Sequence, residues 1–308
     1  MTKPEPFLRW AGGKRQLLGT LLAALPADFD LAVNRFYEPF VGGGAVSLAL
    51  ASDLSGEELA SAKGARKALV LNDVNDDLMN VYRVVVSDVE GLIKRLRRLE
   101  RDTSSEAYYA MRAKEPTSDL ARAARTIFLN KLSFNGLHRV RGDGKFNVPY
   151  GKVAKASLFD GDLLRAVSRW LKHAELRSGS YSAALVGAQL GDVVYLDPPY
   201  IPLSATASFS KYAKDDFREL EQWALAGVVE GLSQRGVRVI FSNSNTELTR
   251  RIFGRELNLY EVSASRSISA AGASRVRVHE VVGINYPSRG ARDPKVLGNL
   301  KKLTSKKK

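Results

Sequence analysis

The chain is expected to fold as an α/β domain interrupted by a mainly helical insertion, and three observations lead there. Strand and helix patterns alternate near both ends: Arg35-Phe36-Tyr37-Glu38 and Ala68-Leu69-Val70-Leu71 early, Val193-Val194-Tyr195-Leu196 and Val237-Arg238-Val239-Ile240-Phe241 late. From Asp76 to Lys131 the pattern is mainly helical and lacks strand-like runs. Phe134 to Gly151, rich in Asn, Gly and Arg, then reads as turns and a short hairpin.

Each element has a local reason. Lys14 to Leu25 places Leu17, Leu18, Leu21, Leu22 and Leu25 at helical spacing. The strand at Arg35–Glu38 leads to glycines at 42 to 44 and a small-residue helix from Ala45, and Ser52 to Lys67 reads as a polar surface loop or frayed helix. The second strand ends at Asn72-Asp73. A helix expected from Asp77 to Glu100 finishes in the basic run Lys94-Arg95-Leu96-Arg97-Arg98. Later come a helix from Asp215 to Arg235, the strand before Ser242-Asn243, and the apolar run Val278 to Ile284. Residues 1–75 and 159–286 are read as one discontinuous domain, 76–158 as the insertion and 287–308 as a basic tail.

Composition narrows the function. The 308 residues include 44% hydrophobic and 26% charged, as in a globular protein, and no apolar run approaches the roughly 20 residues that span a bilayer. Met1-Thr2-Lys3-Pro4-Glu5 lacks the apolar core of a signal peptide, so a cytoplasmic protein without membrane partners is expected. Zero cysteines exclude disulfides and thiolate chemistry, and three scattered histidines argue against a metal site. A net charge of +14 points to a polyanionic partner, nucleic acid before membrane.

Asp197-Pro198-Pro199-Tyr200 follows the apolar run at Val193–Leu196, at the strand end where open α/β sheets bind ligands. Two prolines fix φ and remove two backbone donors. The Asp197 carboxylate and Pro198 carbonyl then offer acceptors beside the Tyr200 ring, a cup for an exocyclic amino group on a flat heterocycle. Alone, the tetrapeptide is equally consistent with a proline turn. Phe40-Val41-Gly42-Gly43-Gly44 lets backbone approach a ligand, and Asp73 can take the hydroxyls of a ribose; a tight turn and a helix cap are the alternatives. Trp10-Ala11-Gly12-Gly13-Lys14 could hold an adenine face and a carboxylate, or could be a core tryptophan before a surface lysine.

Phe7 to Lys14, Glu38 to Gly44, Leu71 to Asp73, Asn130 to Gly151 and Asp197 to Tyr200 occur in the order seen in Dam-type (D12 class, alpha-group) DNA adenine-N6 methyltransferases. The chain resembles that family to about Tyr286, with Pro202-Leu203-Ser204, Phe209 and Tyr212 adding to the likeness. The resemblance implies a Rossmann-like S-adenosylmethionine-dependent sheet with an inserted DNA-recognition domain carrying a β-hairpin. It implies S-adenosyl-L-methionine as methyl donor, no metal, and double-stranded DNA as partner. A cognate restriction endonuclease is an open further partner, and a monomer or weak dimer the assembly.

Residue by residue, the likeness assigns Trp10, Lys14, Phe40, Gly42, Asp73 and Asp197 to the cofactor, and Asp197, Pro198 and Tyr200 to catalysis. Ala174 to Tyr181 looks like a further strand near the cofactor adenine. Phe134-Asn135-Gly136-Leu137-His138-Arg139 resembles the DNA-reading hairpin, with Pro149 further on and Arg9 beside it. Arg139 suits bidentate reading of guanine, and Phe134 suits filling the gap of an extruded base; the plain alternative is an Asn-Gly turn with an arginine on phosphate. Many relatives carry lysine in place of Arg9 and tyrosine in place of Phe134; GATC, common in the family, is the expected target. Ser265 to Ser269, with Arg275 and Arg277, looks like a basic loop near the DNA backbone. Cytosine-N4 methylation is the near alternative, although serine replaces the aspartate more often in that group. RNA adenine methylation and a non-catalytic DNA-binding protein are the others.

Overall fold

The computed structural model describes residues 2–10, 12–14, 16–52, 67–153, 157–202, 219–267 and 275–303, with side chains 264–267 and 275–278 left aside. Most of the expected polar loop at Ser52–Lys67 lies outside these residues. So do Leu203, Ser204, Phe209, Tyr212, Ile268, Ser269, Lys306–Lys308 and the start of the helix expected at Asp215.

In chain order the elements are α1 (Leu18–Ala23), β1 (Phe36–Glu38), α2 (Ala45–Ala49), β2 (Leu69–Asp73), α3 (Asp76–Ser87), α4 (Val89–Leu99), α5 (Ser105–Ala113) and α6 (Asp119–Leu132). They continue with α7 (Gly161–Leu171), β3 (Ala174–Ser178), α8 (Tyr181–Ala184), β4 (Val193–Leu196), α9 (Glu219–Gln234) and β5 (Arg238–Ser244). The last are α10 (Glu247–Phe253), β6 (Asn258–Ser267), β7 (Arg275–Ile284), α11 (Pro294–Gly298) and β8 (Lys301–Leu303). The chain divides into two compact units, one of residues up to Gly13 with Val41–Ala184, the other of Lys14–Phe40 with Leu185 onward.

In the first unit β2 and β3 pair in parallel, Leu69 opposite Ala174 through Asp73 opposite Ser178. A parallel pair needs a long crossover, and the whole helical run α3–α7 supplies it. Leu69, Val70 and Leu71 are buried, as a strand covered on both faces requires. Helix α3 buries Leu78, Met79, Val81, Tyr82, Val84 and Val85, and packs on α6 and α7. Tyr108, Phe128, Leu129, Leu132 and Leu158 form a hydrophobic cluster on which Phe146, Tyr150 and Phe159 pack.

The single helix expected over Asp77–Glu100 is two helices. At Asp88 the backbone leaves the helical region (φ −149°, ψ 62°), and its carboxylate accepts the Gly91 N–H at 2.9 Å. A side chain that caps the next helix competes with continuation of the previous one. The helix expected from Lys14 begins at Leu18, and ahead of it Leu17 N–H donates to the Lys14 carbonyl at 2.9 Å. The Lys14 side chain is drawn inward, only 6% exposed, instead of lying along a helix surface.

In the second unit β1, β4 and β5 run parallel, and β7, β6 and β8 continue antiparallel beyond β5. Residues 287–303, the described part of the expected basic tail, include a short helix and a strand. Asp293 caps α11 with Pro294 in its first turn, and Lys301–Leu303 pair with Leu259–Glu261. Arg292 N–H donates to the Leu25 carbonyl at 2.6 Å, and the Tyr286 hydroxyl donates to the Ala24 carbonyl. Strand β6 has no strand-like apolar run, because Asn258–Ser267 is polar along much of its length.

Removing the Asp88 carboxylate should cost about 1 kcal/mol, the usual loss for an N-cap. Urea unfolding of Asp88→Ala tests this; an unchanged midpoint contradicts it.

Candidate active site

In the second unit the geometry begins with strand pairing. Leu196 on β4 lies opposite Phe241 on β5, so the next residues outward, Asp197 and Ser242, meet at the carboxyl ends of both strands. Ser242 Oγ donates to Asp197 Oδ1 at 2.9 Å. Tyr195, one turn of the pleat back, lies 2.9 Å from the same Ser242 oxygen. The single serine proton goes to the carboxylate, so the tyrosine must be the donor to the serine. Burial, with Asp197 and Tyr200 nearby, holds the Tyr195 hydroxyl well above its ordinary pKa and keeps it protonated.

Lys14 completes the arrangement. Its Nζ stands 2.8 Å from Asp197 Oδ2 and 4.6 Å from the centre of the Tyr200 ring. The Tyr200 hydroxyl donates to Glu280 Oε2 at 3.0 Å, and Glu280 is only 4% exposed. Ile201 N–H donates to Asn243 Oδ1 at 3.0 Å, and Gln222 Nε2 donates to the Pro199 carbonyl at 2.9 Å. No donor among the described residues takes the Pro198 carbonyl. Each Asp197 oxygen keeps one acceptor position beyond its Lys14 or Ser242 bond. The cup therefore offers a carboxylate, a carbonyl and an aromatic plane held by named partners.

Desolvation by burial raises the Asp197 pKa above the ordinary 3.8, and Lys14 and then Ser242 pull it back. The sequence offers Lys14 a carboxylate as partner, and its ammonium sits on that of Asp197.

The other unit holds a second cluster. Gly42 (φ +48°) and Gly44 (φ +68°) adopt left-handed backbone, and a Cβ on Gly42 would stand 2.8 Å from Trp10 Cδ1. Gly42 N–H donates to Asp73 Oδ2 at 3.1 Å, while the Tyr82 hydroxyl donates to the Gly42 carbonyl at 2.9 Å. Asp73 Oδ1 takes the Asn75 N–H at 2.9 Å. Burial raises the Asp73 pKa, opposed by these backbone donors. An indole face, a glycine kept bare by that indole, and a carboxylate with remaining lone pairs fit the base and ribose of a nucleoside. Trp10, Gly42 and Asp73 are thus brought together; Phe40 is partly buried in the other unit. β3 occupies Ala174–Ser178 as the likeness implied, and Gly179 N–H donates to the Asp73 carbonyl at 3.1 Å.

The third cluster gathers Arg9, Phe134, Asn135, Leu137, Arg139 and Pro149. Asn130 clamps the Arg9 backbone, accepting its N–H at 2.8 Å and donating to its carbonyl at 2.5 Å. Asn135 sits at φ 54°, the left-handed position an Asn-Gly turn supplies, and Phe134 N–H donates to the Pro149 carbonyl at 2.9 Å. Phe134 and Leu137 are exposed, 38% and 41%. The expected hairpin is small: a bridge at Val140 and Phe146 and another at its base between Ser133 and Tyr150, with Arg139 Nε donating to Asn147 Oδ1 at 2.8 Å. The sequence assigns no role to Ser242, Glu280, Asn130, Asn75 or His138, although Asn130 and His138 stand within the blocks that carry the resemblance and Ser242 lies near a strand end like Asp197.

The sequence model of the D12 class N6 adenine-specific DNA methyltransferases matches residues 10–268. The chain belongs to this family. It is 35% identical to the Type II methyltransferase M1.LlaDCHI of Lactococcus lactis subsp. cremoris, over 92% of this chain and 95% of that one. It is 35% identical to the Type II methyltransferase M.MjaIII of Methanocaldococcus jannaschii, over 92% and 99%. The DNA adenine methylase of Escherichia coli is 34% identical over 93% and 97%. The protein is a site-specific, adenine-specific DNA methyltransferase dependent on S-adenosylmethionine. No helix among the described residues is long and apolar enough to cross a membrane.

Because the folded-state pKa of Asp197 lies above 3.8, ionising it costs stability as pH rises through the raised value, and Lys14 limits that cost. In Lys14→Met the pKa should rise further. The acid limb of kcat/KM should move to higher pH and stability at neutral pH should fall. An acid limb in the same place as the unaltered enzyme's contradicts the pairing.

Proposed function

We propose that this methyltransferase modifies N6 of an adenine lifted out of duplex DNA, within GATC, using the cup at Asp197 to hold the amino group. The observation that carries the reading is the Asp197 carboxylate, fixed by Lys14 and Ser242, next to the Pro198 carbonyl and the Tyr200 ring. Adenine N6 is a poor nucleophile because its lone pair is delocalised into the ring. Two acceptors on its two N–H groups draw the nitrogen toward a pyramidal form with a localised lone pair. Tyr200, steadied by Glu280, provides the stacking plane. S-adenosylmethionine, when bound, supplies a methyl group on a positively charged sulfur, its nucleoside held on this reading by Trp10, Gly42 and Asp73. The catalytic side chains then need only to position and polarise. The proton of the methylated nitrogen is acidic enough to leave without a strong base.

Duplex DNA hides N6 in the stack, and extruding the base costs about a few kcal/mol. On this reading Phe134 fills the gap, Arg139 reads guanine in the major groove, and Arg9, Asn135, Leu137 and Pro149 line the same surface. Residues 76–158 act as the recognition insertion, and 1–75 with 159–286 as the catalytic part. Lys94, Arg95, Arg97 and Arg98 are exposed on one helix and suit phosphate contacts that carry no sequence information. Type II methyltransferases and a DNA adenine methylase match almost equally, at 35% and 34% identity. A restriction partner is therefore favoured no more than its absence.

Incubation with labelled S-adenosylmethionine and GATC duplex should label N6 of adenine. Asp197→Ala and Tyr200→Ala should lose at least a hundredfold in turnover, roughly 2.7 kcal/mol of barrier, while staying folded. Full turnover in Asp197→Ala refutes the role. Arg139→Ala should relax base choice, whereas Lys94→Gln with Arg97→Gln should weaken every sequence alike and flatten the salt dependence. The reverse pattern reassigns the reading element.

A further inference from the structure

Five residues of the unit holding Val41–Ala184 close a ring of contacts. Gly42 N–H donates to Asp73 Oδ2 at 3.1 Å, and Asn75 N–H to Asp73 Oδ1 at 2.9 Å. The Asn75 side-chain amide lies 3.3 Å and 3.4 Å from the two ring nitrogens of His138. The His138 ring stacks on Trp10, centroids 5.5 Å apart and planes inclined 27°. Trp10 in turn covers Gly42, where a Cβ would come within 2.8 Å of the indole. Trp10, Gly42 and Asp73 are cofactor residues on the reading proposed above. His138 is not; it lies between Leu137 and Arg139 in the turn proposed to read DNA.

The far side of His138 joins the rest of that turn. Phe146 meets its ring edge-on at 5.5 Å. The next residue, Asn147, donates its N–H to the Arg139 carbonyl at 3.0 Å and accepts Arg139 Nε at 2.8 Å. A cavity of about 640 Å³ lined by His138, Val140, Arg141 and Phe146 separates this arm from the helices beneath it. Lys145 on Glu115 and Phe146 on the Tyr108 cluster tie the arm to those helices, and His138 ties it to Asn75 and Trp10. Burial, aided by the charge of Arg125 and opposed by that of Asp77, lowers the His138 pKa. The neutral ring keeps the lone pair that the Asn75 amide needs.

We propose that His138 is a positioning residue that closes the cofactor cradle from the DNA-reading turn, so that cofactor binding and DNA discrimination are coupled through it in both directions. This inference rests on the function proposed above. A cofactor resting on Trp10 and Asp73 fixes both ends of the ring, and with them His138 and its neighbours Leu137 and Arg139. The ordering cost met by the first ligand is then not met again by the second, and linkage makes the effect reciprocal.

Titration calorimetry with S-adenosylhomocysteine, without and with saturating duplex carrying the methylated sequence, gives the coupling as a ratio of Kd values. In the unaltered enzyme the ratio should lie in the ordinary allosteric range of about 5–150. In His138→Ala it should fall to about 1, with a matching loss of the cofactor-dependent preference for cognate over single-base-altered duplex. His138→Phe keeps the stack but not the acceptor and should give an intermediate ratio; it carries the test alone where the alanine variant does not fold. A ratio of about 1 in the unaltered enzyme, or an unchanged ratio in the variant, overturns the proposal. Trp10→Ala separates the two readings: weakened S-adenosylhomocysteine binding upholds the cofactor site, and unchanged binding defeats that site itself.

Discussion

A carboxylate at the end of a buried strand is unfavourable unless its charge is answered, and Asp197 is answered on both oxygens. Lys14 takes one and Ser242 the other, and Tyr195 behind Ser242 fixes which way that hydroxyl points. The Lys14 side chain is 7% exposed and that of Asp197 20%, so neither charge has full access to water. Leaving one member of such a pair without the other typically costs about 3–5 kcal/mol. The requirement reaches back into the chain. Lys14 cannot both serve Asp197 and extend along a surface helix, which accounts for the turn before α1. Ser242 can serve only because β4 and β5 are parallel and in the register that puts Phe241 opposite Leu196.

The same logic of one side chain holding two segments recurs in the other unit. Asn130 binds both backbone groups of Arg9 and also donates to the Gly136 carbonyl at 3.4 Å. Gly136 has φ +65°, and a Cβ there would fall 2.4 Å from Arg9 Cβ, so a glycine is needed for the close approach as much as for the turn. An N-terminal segment and a turn more than a hundred residues later are thus locked by one buried amide. The exposed Phe134 and Leu137 stand on a fixed base whose ordering cost is met in folding.

Legibility in the sequence followed the range of the physics. Strands β1, β2, β4, β5 and β7 were readable because their apolar runs are local and contiguous, and the Asp197 cup because two prolines constrain a tetrapeptide without outside help. The break at Asp88 was not, since an aspartate inside an amphipathic pattern reads as an exposed helical position until its capping bond to Gly91 is seen. Strand β6 escaped because its partners lie on β7 and β8, and pairing, not apolar content, makes it a strand. Glu280 and Asn130 escaped for a related reason. A lone glutamate in an apolar run and a lone asparagine in a helix have no local signature, and their meaning arises from contacts 80 and 121 residues away.

Charge and geometry divide the remaining work. Forty-seven lysines and arginines against thirty-three acids leave +14, far more than a reading element of a few residues contains. Much of the local charge is already paired: Arg122 serves Asp76 and Asp77, Arg165 serves Glu90, and Lys145 serves Glu115. Such exposed pairs contribute only about 0–1 kcal/mol each to stability. The unpaired excess raises affinity for any phosphate backbone and cannot distinguish one sequence from another. On the reading proposed above, discrimination comes instead from the few side chains whose geometry is fixed from behind, by the Asn130 clamp and the Asn147 bond on Arg139.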